Sequence, residues 1–343
     1  MIATVLNECQ TADRLLESVT GQLREQDELV VVDGGSHDGT YEQLLEYARR
    51  DPRVRVLRAP GSNIAAGRNL AVRAARHDLI ACTDAGCHVA PQWLERLIEP
   101  LLIPDLVAGA PGLAAGVPHV LARGALQRAQ SLACYADPNE AADPTPLVRV
   151  YGRLFGGVFD PSLPFARSLA FTRQAWLDAR GFPERLRWVE DGVFGRAVAA
   201  RHRCVLAVGA DVYWEQRGSV GATFKMYYRY GIGAAESGDR QLQGRDGLRL
   251  AAYLLVPRLL ASRDRRAIAI ALAGGAAYYS LPLLRAVRYR AGVRAALCIP
   301  AALAIKDLGK IAGALAARLT GRRARASAPG VGGGLRWEEA ANA

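Results

Sequence analysis

Over its first hundred residues the chain alternates short apolar runs with stretches whose apolar positions recur every three or four residues. The short runs, Met1–Leu6, Glu28–Val32, Val54–Leu57 and the run from Leu79 into Thr83-Asp84, predict buried strands. The periodic stretches predict amphipathic helices. Ala12, Leu15, Leu16, Val19 and Leu23 share one face, Tyr41, Leu44, Leu45 and Ala48 share another, and a third helix is expected over Asn63–Ala75. Thr40 and Gln43 have the spacing of a capping box. Regular alternation of this kind predicts an α/β fold, a mostly parallel twisted sheet with helices on both faces.

Beyond a helix expected over Pro91–Leu102 the pattern weakens. Cys134–Pro164 is rich in Pro, Gly and Asp and nearly aperiodic, which predicts a long loop, either bordering an acceptor site or a passive excursion. Order returns with a strand at Arg167–Thr172, a helix around Trp176, a helix opened by Glu190-Asp191 and a helical stretch from Phe224 to Gly233. Three apolar runs then follow, Leu248–Leu260, Ala267–Leu284 and Ala295–Ile305. Only Ala267–Leu284, eighteen residues without a charge, has the length to span a bilayer. Arginines flank it on both sides, so no orientation follows, and a re-entrant hairpin or interfacial helices fit as well. The tail after Thr320 is expected to be disordered.

Charge sharpens this picture once it is located. The chain of 343 residues carries a net +11. Between Arg240 and Arg325 there are seventeen Arg or Lys against three acids, a net of +14, so the remainder is slightly acidic. Basic clusters alternating with apolar runs predict an anionic membrane surface as partner, and no nucleic acid. The six cysteines contain no C-x-x-C pair and read as small core residues in a reducing compartment. Cys87-His88 alone has metal-donor chemistry but no second pair at ligand spacing. The N-terminus lacks the basic start and long apolar core of a signal peptide and reads as a first strand.

The candidate chemistry lies where strands end. Thr4 to Glu8, Asp33 and Asp84 each close a predicted strand with polar groups, and in open α/β sheets ligands bind beyond those edges. For each alone, turn chemistry or helix capping is an alternative. No G-x-G-x-x-G follows a strand and no Walker A sequence occurs, which sets aside dinucleotide and P-loop sites.

In order, T-V-L-N-E, V-V-V-D-G-G-S-H-D-G-T, G-R-N-L-A and T-D-A-G-C resemble the N-terminal half of a family 2 glycosyltransferase with the GT-A fold. The resemblance implies donor-binding roles for Thr4, Asn7, Glu8, Asp33, Arg68, Asn69 and Asp84: Thr4 and Asp33 around the nucleobase, Arg68 near the donor, Asp84 on the ribose and on a divalent metal. It also implies that the E-D pair Glu190-Asp191 supplies the catalytic base, with Asp191 as base and Glu190 as orienting partner. The chain departs from the family in four places. Gly34 stands where many members carry a second acid, Gly86 replaces the second acid of D-x-D, and in the later helix Met226 stands where a Gln is common and Ala234 where an acid is common. A Mg2+ or Mn2+ ion held by Asp84 and the donor phosphates remains compatible with one carboxylate.

The expected organisation is a catalytic domain over residues 1–239, with a donor-binding half at 1–110 and an acceptor half at 111–239. A membrane-associated helical region at 240–320 and a tail at 321–343 follow. The implied activity is inverting transfer of a sugar from a UDP- or GDP-sugar to a lipid-linked or polysaccharide acceptor at the cytoplasmic membrane face. A polyprenyl-phosphate sugar synthase and a catalytically inactive membrane protein of the same fold are the alternatives. A sugar-phosphate nucleotidyltransferase fits less well, because no early Gly-rich loop with a following Arg and Lys is present.

Overall fold

The computed structural model describes residues 1–103 and 110–320, and the backbone of residues 338 and 339. The described residues form two compact units, Met1–His119 with Asp160–Glu215 and residues 338–339, and Val120–Phe159 with residues 216–320.

In the first unit β1 (Ile2–Val5), β2 (Leu29–Asp33), β3 (Val54–Arg58) and β4 (Leu79–Asp84) run parallel in the order β3-β2-β1-β4. Successive strands are joined by α1 (Ala12–Thr20), α2 (Thr40–Arg50) and α3 (Ile64–Ala74). All five residues of β2 are buried, as expected of a parallel strand covered on both faces. Helix α1 buries Ala12, Leu15, Leu16 and Val19, the face its periodicity predicts. Gly67 lets α3 lie close on the sheet, since a Cβ there would stand 3.0 Å from Thr4 Cγ2. The capping box at Thr40 does not form. Gly39, at φ +95°, precedes the helix, and the Thr40 hydroxyl donates to Asp38 while accepting the Glu8 N–H.

The sheet continues past β4 with β8 (Leu169–Thr172), which is antiparallel, then β6 (Leu113–Ala115) and β9 (Cys204–Leu206). On the other edge β11 (Glu338–Glu339) pairs antiparallel with β3; the rest of the tail expected to be disordered lies outside the described residues. A second small sheet has the order β5 (Cys87–Val89), β10 (Val212–Glu215), β7 (Pro118–Leu121). Helices α4 (Trp93–Leu102), α8 (Arg173–Asp178) and α9 (Glu190–Ala199) complete this unit.

The second unit is helical: α5 (Ala125–Cys134), α6 (Pro138–Ala142), α7 (Pro146–Phe155), α10 (Val220–Ser237), α11 (Arg240–Leu260), α12 (Arg265–Arg288) and α13 (Val293–Leu319). Helices α6 and α7 lie in the stretch expected to be a loop. Their local signals are Asp137 and Thr145 as caps, each followed by Pro at the first helical position, with Val148 and Tyr151 inward three residues apart. The helices are too short for their periodicity to stand out from the Pro- and Gly-rich flanks.

Two features hold the unit together. Helices α10 and α13 touch backbone to backbone through glycine: a Cβ on Gly231 would stand 2.2 Å from the Lys310 carbonyl oxygen, and one on Gly313 would stand 1.9 Å from that of Tyr228. In α12 the buried Arg285 forks onto Glu140 of α6 (Nη2–Oε2 2.7 Å, Nε–Oε1 3.2 Å). It also donates to the carbonyls of Leu132 and Tyr135 at the end of α5 (2.8 and 3.0 Å), where a cation is favoured. By length and composition α12 could cross a membrane, and only 17% of its apolar stretch is buried inside the protein.

The glycine contact gives a paired prediction. Gly313→Ala should cost about 1–3 kcal/mol, because α10 must move to admit one methyl group. Gly274→Ala, in open space on α12, should be neutral or stabilise by up to about 1 kcal/mol. Urea midpoints followed by circular dichroism distinguish the two.

Candidate active site

Strand register gathers the polar strand ends. Thr4 pairs with Asp84 across the β1–β4 ladder, and Val5 pairs with Asp33 across β1–β2. All three polar residues therefore reach the carboxyl edge of the parallel sheet, where its connections leave a crevice.

Asp33 is fully buried. Its Oδ1 accepts the N–H groups of Gly35 and Ser36 at 2.9 and 3.0 Å, which shapes the turn leaving β2. Asn7, in the left-handed region at φ +55°, accepts the His37 N–H on Oδ1 and donates its own N–H to Ser36 Oγ at 2.8 Å. The Glu8 N–H donates to Thr40 Oγ1 (2.8 Å), and its carboxylate accepts from Thr11 Oγ1 (2.6 Å). Asn7 and Glu8 thus lock the loop after β1 to the loop after β2.

Arg68, only 1% exposed, is the centre of the site. From α3 its Nη2 donates to Asp84 Oδ1 at 2.6 Å and its Nη1 to Glu190 Oε1 at 2.7 Å. A guanidinium cannot be buried without such partners. Burial opposes its charge, yet Asp84, Glu190 and Asp191 together hold its pKa well above the ordinary range. Asp84 remains 31% exposed at the side chain, whereas Glu190 is 8% exposed.

A second link joins the same elements. Asp191 Oδ2 accepts the Ala166 N–H at 3.2 Å, and the next carbonyl, that of Arg167, accepts from Thr83 Oγ1 at 2.8 Å. Two consecutive residues, Ala166 and Arg167, thereby tie the start of α9 and the end of β4 to one stretch of backbone. The Arg167 guanidinium lies over the Trp214 ring, 4.3 Å from its centroid, beside the Cys87 thiol. Val189, a β-branched residue at φ +66°, immediately precedes the acid pair; strain of this kind persists where the surroundings over-determine the backbone.

The expected site residues therefore divide. Thr4, Asn7, Glu8, Asp33, Arg68, Asp84, Glu190 and Asp191 lie on the sheet edge or on elements tied to it. Asn69 is directed elsewhere. Its Oδ1 accepts from Trp176 Nε1 and the Phe182 N–H, and its Nδ2 donates to the Phe182 carbonyl and to Glu184, so the amide is spent on the 176–184 segment. Arg68 is likewise spent on carboxylates. Sequence marks Arg167 only as the start of a strand and gives no sign of the bonds that Ala166 and Arg167 make.

Among the described residues no three His, Cys, Asp or Glu side chains gather to hold a metal. Cys87 and His88 point to opposite faces of β5, with Cys87 buried and His88 stacked on Tyr213 at 5.1 Å. At the D-x-G position, Gly86 has φ +78° with open space around it, and it makes the turn from β4 to β5. The half-exposed Asp84 carboxylate has an oxygen beyond the Arg68 contact. That donor set fits an ion whose other ligands are phosphates and water.

A parallel sheet ordered β3-β2-β1-β4, with carboxylates at its edge and an acid pair tied to it from a later helix, has the build of the GT-A class of nucleotide-diphosphosugar transferases. Residues 1–122 match the family model described as Glycosyl transferase family 2. EpsH and EpsJ of Bacillus subtilis (strain 168), both named as glycosyltransferases, are 31% and 29% identical over 84 and 87 residues. These stretches are 24% and 25% of this chain, and the chain spans only about a quarter (24% and 25%) of each relative's length. The mannosyltransferase PcManGT of Pyrobaculum calidifontis, solved with GDP-Man and Mn2+, shares the fold. It is 19% identical, with a TM-score of 0.55 over 90% of this chain and 86% of that one.

Burial, opposed by Arg68 and reinforced by Asp191, pushes the Glu190 pKa from 4.5 up to about 7. Three acids around one cation leave one of them favoured to keep a proton. A pKa raised on folding stabilises fully below 4.5, and that stability is lost as pH rises through about 7. Wild-type stability should therefore fall across this window, and Glu190→Gln should flatten the fall, read from urea midpoints at a series of pH values.

Proposed function

We propose that the chain is an inverting glycosyltransferase. It moves a sugar from a UDP- or GDP-sugar to a hydroxyl of a lipid-linked or polysaccharide acceptor at the cytoplasmic membrane face. The observation that carries this reading is the Arg68 bridge, which joins the acid at the end of β4 to the acid pair at the head of α9. A donor-holding carboxylate and a proton acceptor in one crevice are what transfer to a hydroxyl requires.

In this reading Thr4 and Asp33, with the Asn7 and Glu8 loop, line the nucleobase and ribose end of the donor. Asp84 holds the ribose and the Mg2+ or Mn2+ ion, which when bound supplies positive charge to the diphosphate. Leaving-group charge also needs a cation from the protein. Arg68 bridges two carboxylates, and Arg167, whose guanidinium lies on the Trp214 ring beside Cys87, is assigned that role. Asp191 removes the acceptor hydroxyl proton as the oxygen attacks the face opposite the leaving diphosphate, which inverts the anomeric centre. Glu190 keeps Arg68 in place. The basic and apolar helices of residues 240–320 hold the chain at the membrane.

Asp191→Asn should lower kcat by about 10²–10⁴-fold with donor affinity unchanged. A mild effect would point instead to a phosphate acceptor, which needs little help from a base. Asp84→Ala, or removal of divalent metal by chelation, should abolish donor binding measured by calorimetry with UDP- and GDP-sugars. If the wild-type chain binds no donor with Mg2+ or Mn2+ present, the enzymatic reading fails.

A further inference from the structure

We infer that α7, α11 and the outer side of α12 form one surface that lies on an anionic lipid bilayer, with α12 along the interface rather than across it. This deepens the membrane-face part of the proposed function and rests on it.

The first observation is α7. At 100° per residue its apolar positions cover roughly 200° of arc. Half of that arc is used. Val148 and Tyr151 pack on Leu281 of α12, and the Tyr151 hydroxyl donates to the Tyr278 carbonyl at 2.9 Å. The other half is bare: Leu147, Val150 and Leu154 are 48%, 54% and 48% exposed. Arg149 and Arg153 occupy the remaining sector and are exposed as well. An apolar face half sunk in protein and half uncovered, edged by arginine, suits the boundary between headgroups and acyl chains.

Neighbouring helices extend the same surface. Arg245 and Arg249 of α11 donate to the Gly152 and Phe155 carbonyls at the end of α7, at 2.7 and 3.1 Å, so the two helices are fixed side by side. On α11 Leu254 and Leu255 are more than half exposed, as are Ile270, Leu272 and Val287 on α12. Seven arginines of the three helices are exposed (Arg149, Arg153, Arg240, Arg258, Arg265, Arg266 and Arg288), and the one acid on these helices, Asp246, is buried. Charge of one sign over so much bare apolar surface matches anionic headgroups. A protein partner would favour an apolar centre with a polar rim, whereas here arginines and apolar residues are interleaved along every helix.

The tie of α12 to its neighbours decides the mode. Arg285 is locked to Glu140 and to the end of α5, and Tyr278 to α7. A crossing α12 would carry α7, with exposed Arg149 and Arg153, into hydrocarbon, where such charges are strongly disfavoured.

The test uses the full chain in co-sedimentation with phosphatidylcholine vesicles, with and without phosphatidylglycerol. Wild type should bind the anionic vesicles, weaken in high salt and be released by alkaline carbonate. The double variant Val150→Asp/Leu154→Asp should partition about tenfold or more weakly. Leu177→Asp, an equally exposed control on α8, should behave as wild type. Unchanged circular dichroism and donor binding exclude misfolding as the cause. Undiminished binding by the double variant, or resistance to carbonate, overturns the inference and leaves the membrane reading intact. No vesicle binding by wild type, with donor binding retained, overturns both. A dimer lost in the double variant, without vesicle binding, would assign the surface to a second copy.

Discussion

One buried guanidinium organises the first unit. Arg68 lies inside the fold with Asp84 on one terminal nitrogen and Glu190 on the other. Taking such a group out of water is costly, and removing either partner would leave an uncompensated charge. The arrangement therefore fixes where the end of β4 stands relative to the head of α9, two elements far apart in the chain. It also sets the local electrostatics: one cation serves Asp84, Glu190 and Asp191, and burial leaves Glu190 close to neutral pH in its titration. Structure and acid–base chemistry here depend on the same contact.

Around that contact the backbone is built in advance. The loops after β1 and β2 are stitched through Asn7, Glu8, Ser36 and Thr40, and Asp33 closes its own turn. The Ala166 N–H holds Asp191 and the Arg167 carbonyl holds Thr83. Val189 accepts an unfavourable φ so that the acid pair begins α9 at the right place. A site whose groups are already oriented loses little ordering entropy when a ligand arrives.

The helical unit follows the same logic with different parts. Arg285 and Glu140 pair in its interior, and glycines at 231 and 313 allow backbone-to-backbone contact between α10 and α13. Its interior takes many small residues, such as Ala129, Ala286, Ala295 and Ala302, beside Leu132, Ile299 and Leu303, while Leu147, Val150 and Leu154 of α7, Leu254 and Leu255 of α11 and Ile270, Leu272 and Val287 of α12 stay outside. An exposed set of that size is more than the scattered single apolar residues of an ordinary surface.

Much of the first unit is legible along the chain. Its strands are short apolar runs bounded by polar turns, and period alone separates them from the helices. The acids at 33 and 84 and the pair at 190–191 stand out because strand ends and helix starts are local features. Partners are not local. Arg68 reads as a donor contact until its bonds, 16 residues away to Asp84 and 122 to Glu190, reveal an internal bridge. Asn69 reads as its companion until Trp176, Phe182 and Glu184 take up its amide. Helix α7 is hidden because half its apolar face means nothing without α12 beside it. Sequence by itself determined the alternating sheet, the polar strand ends and the basic, apolar C-terminal quarter, all consequences of side-chain period and composition. Only tertiary structure decided which charges neutralise one another, because Coulomb and hydrogen-bond energies depend on distance in space and not on separation along the chain.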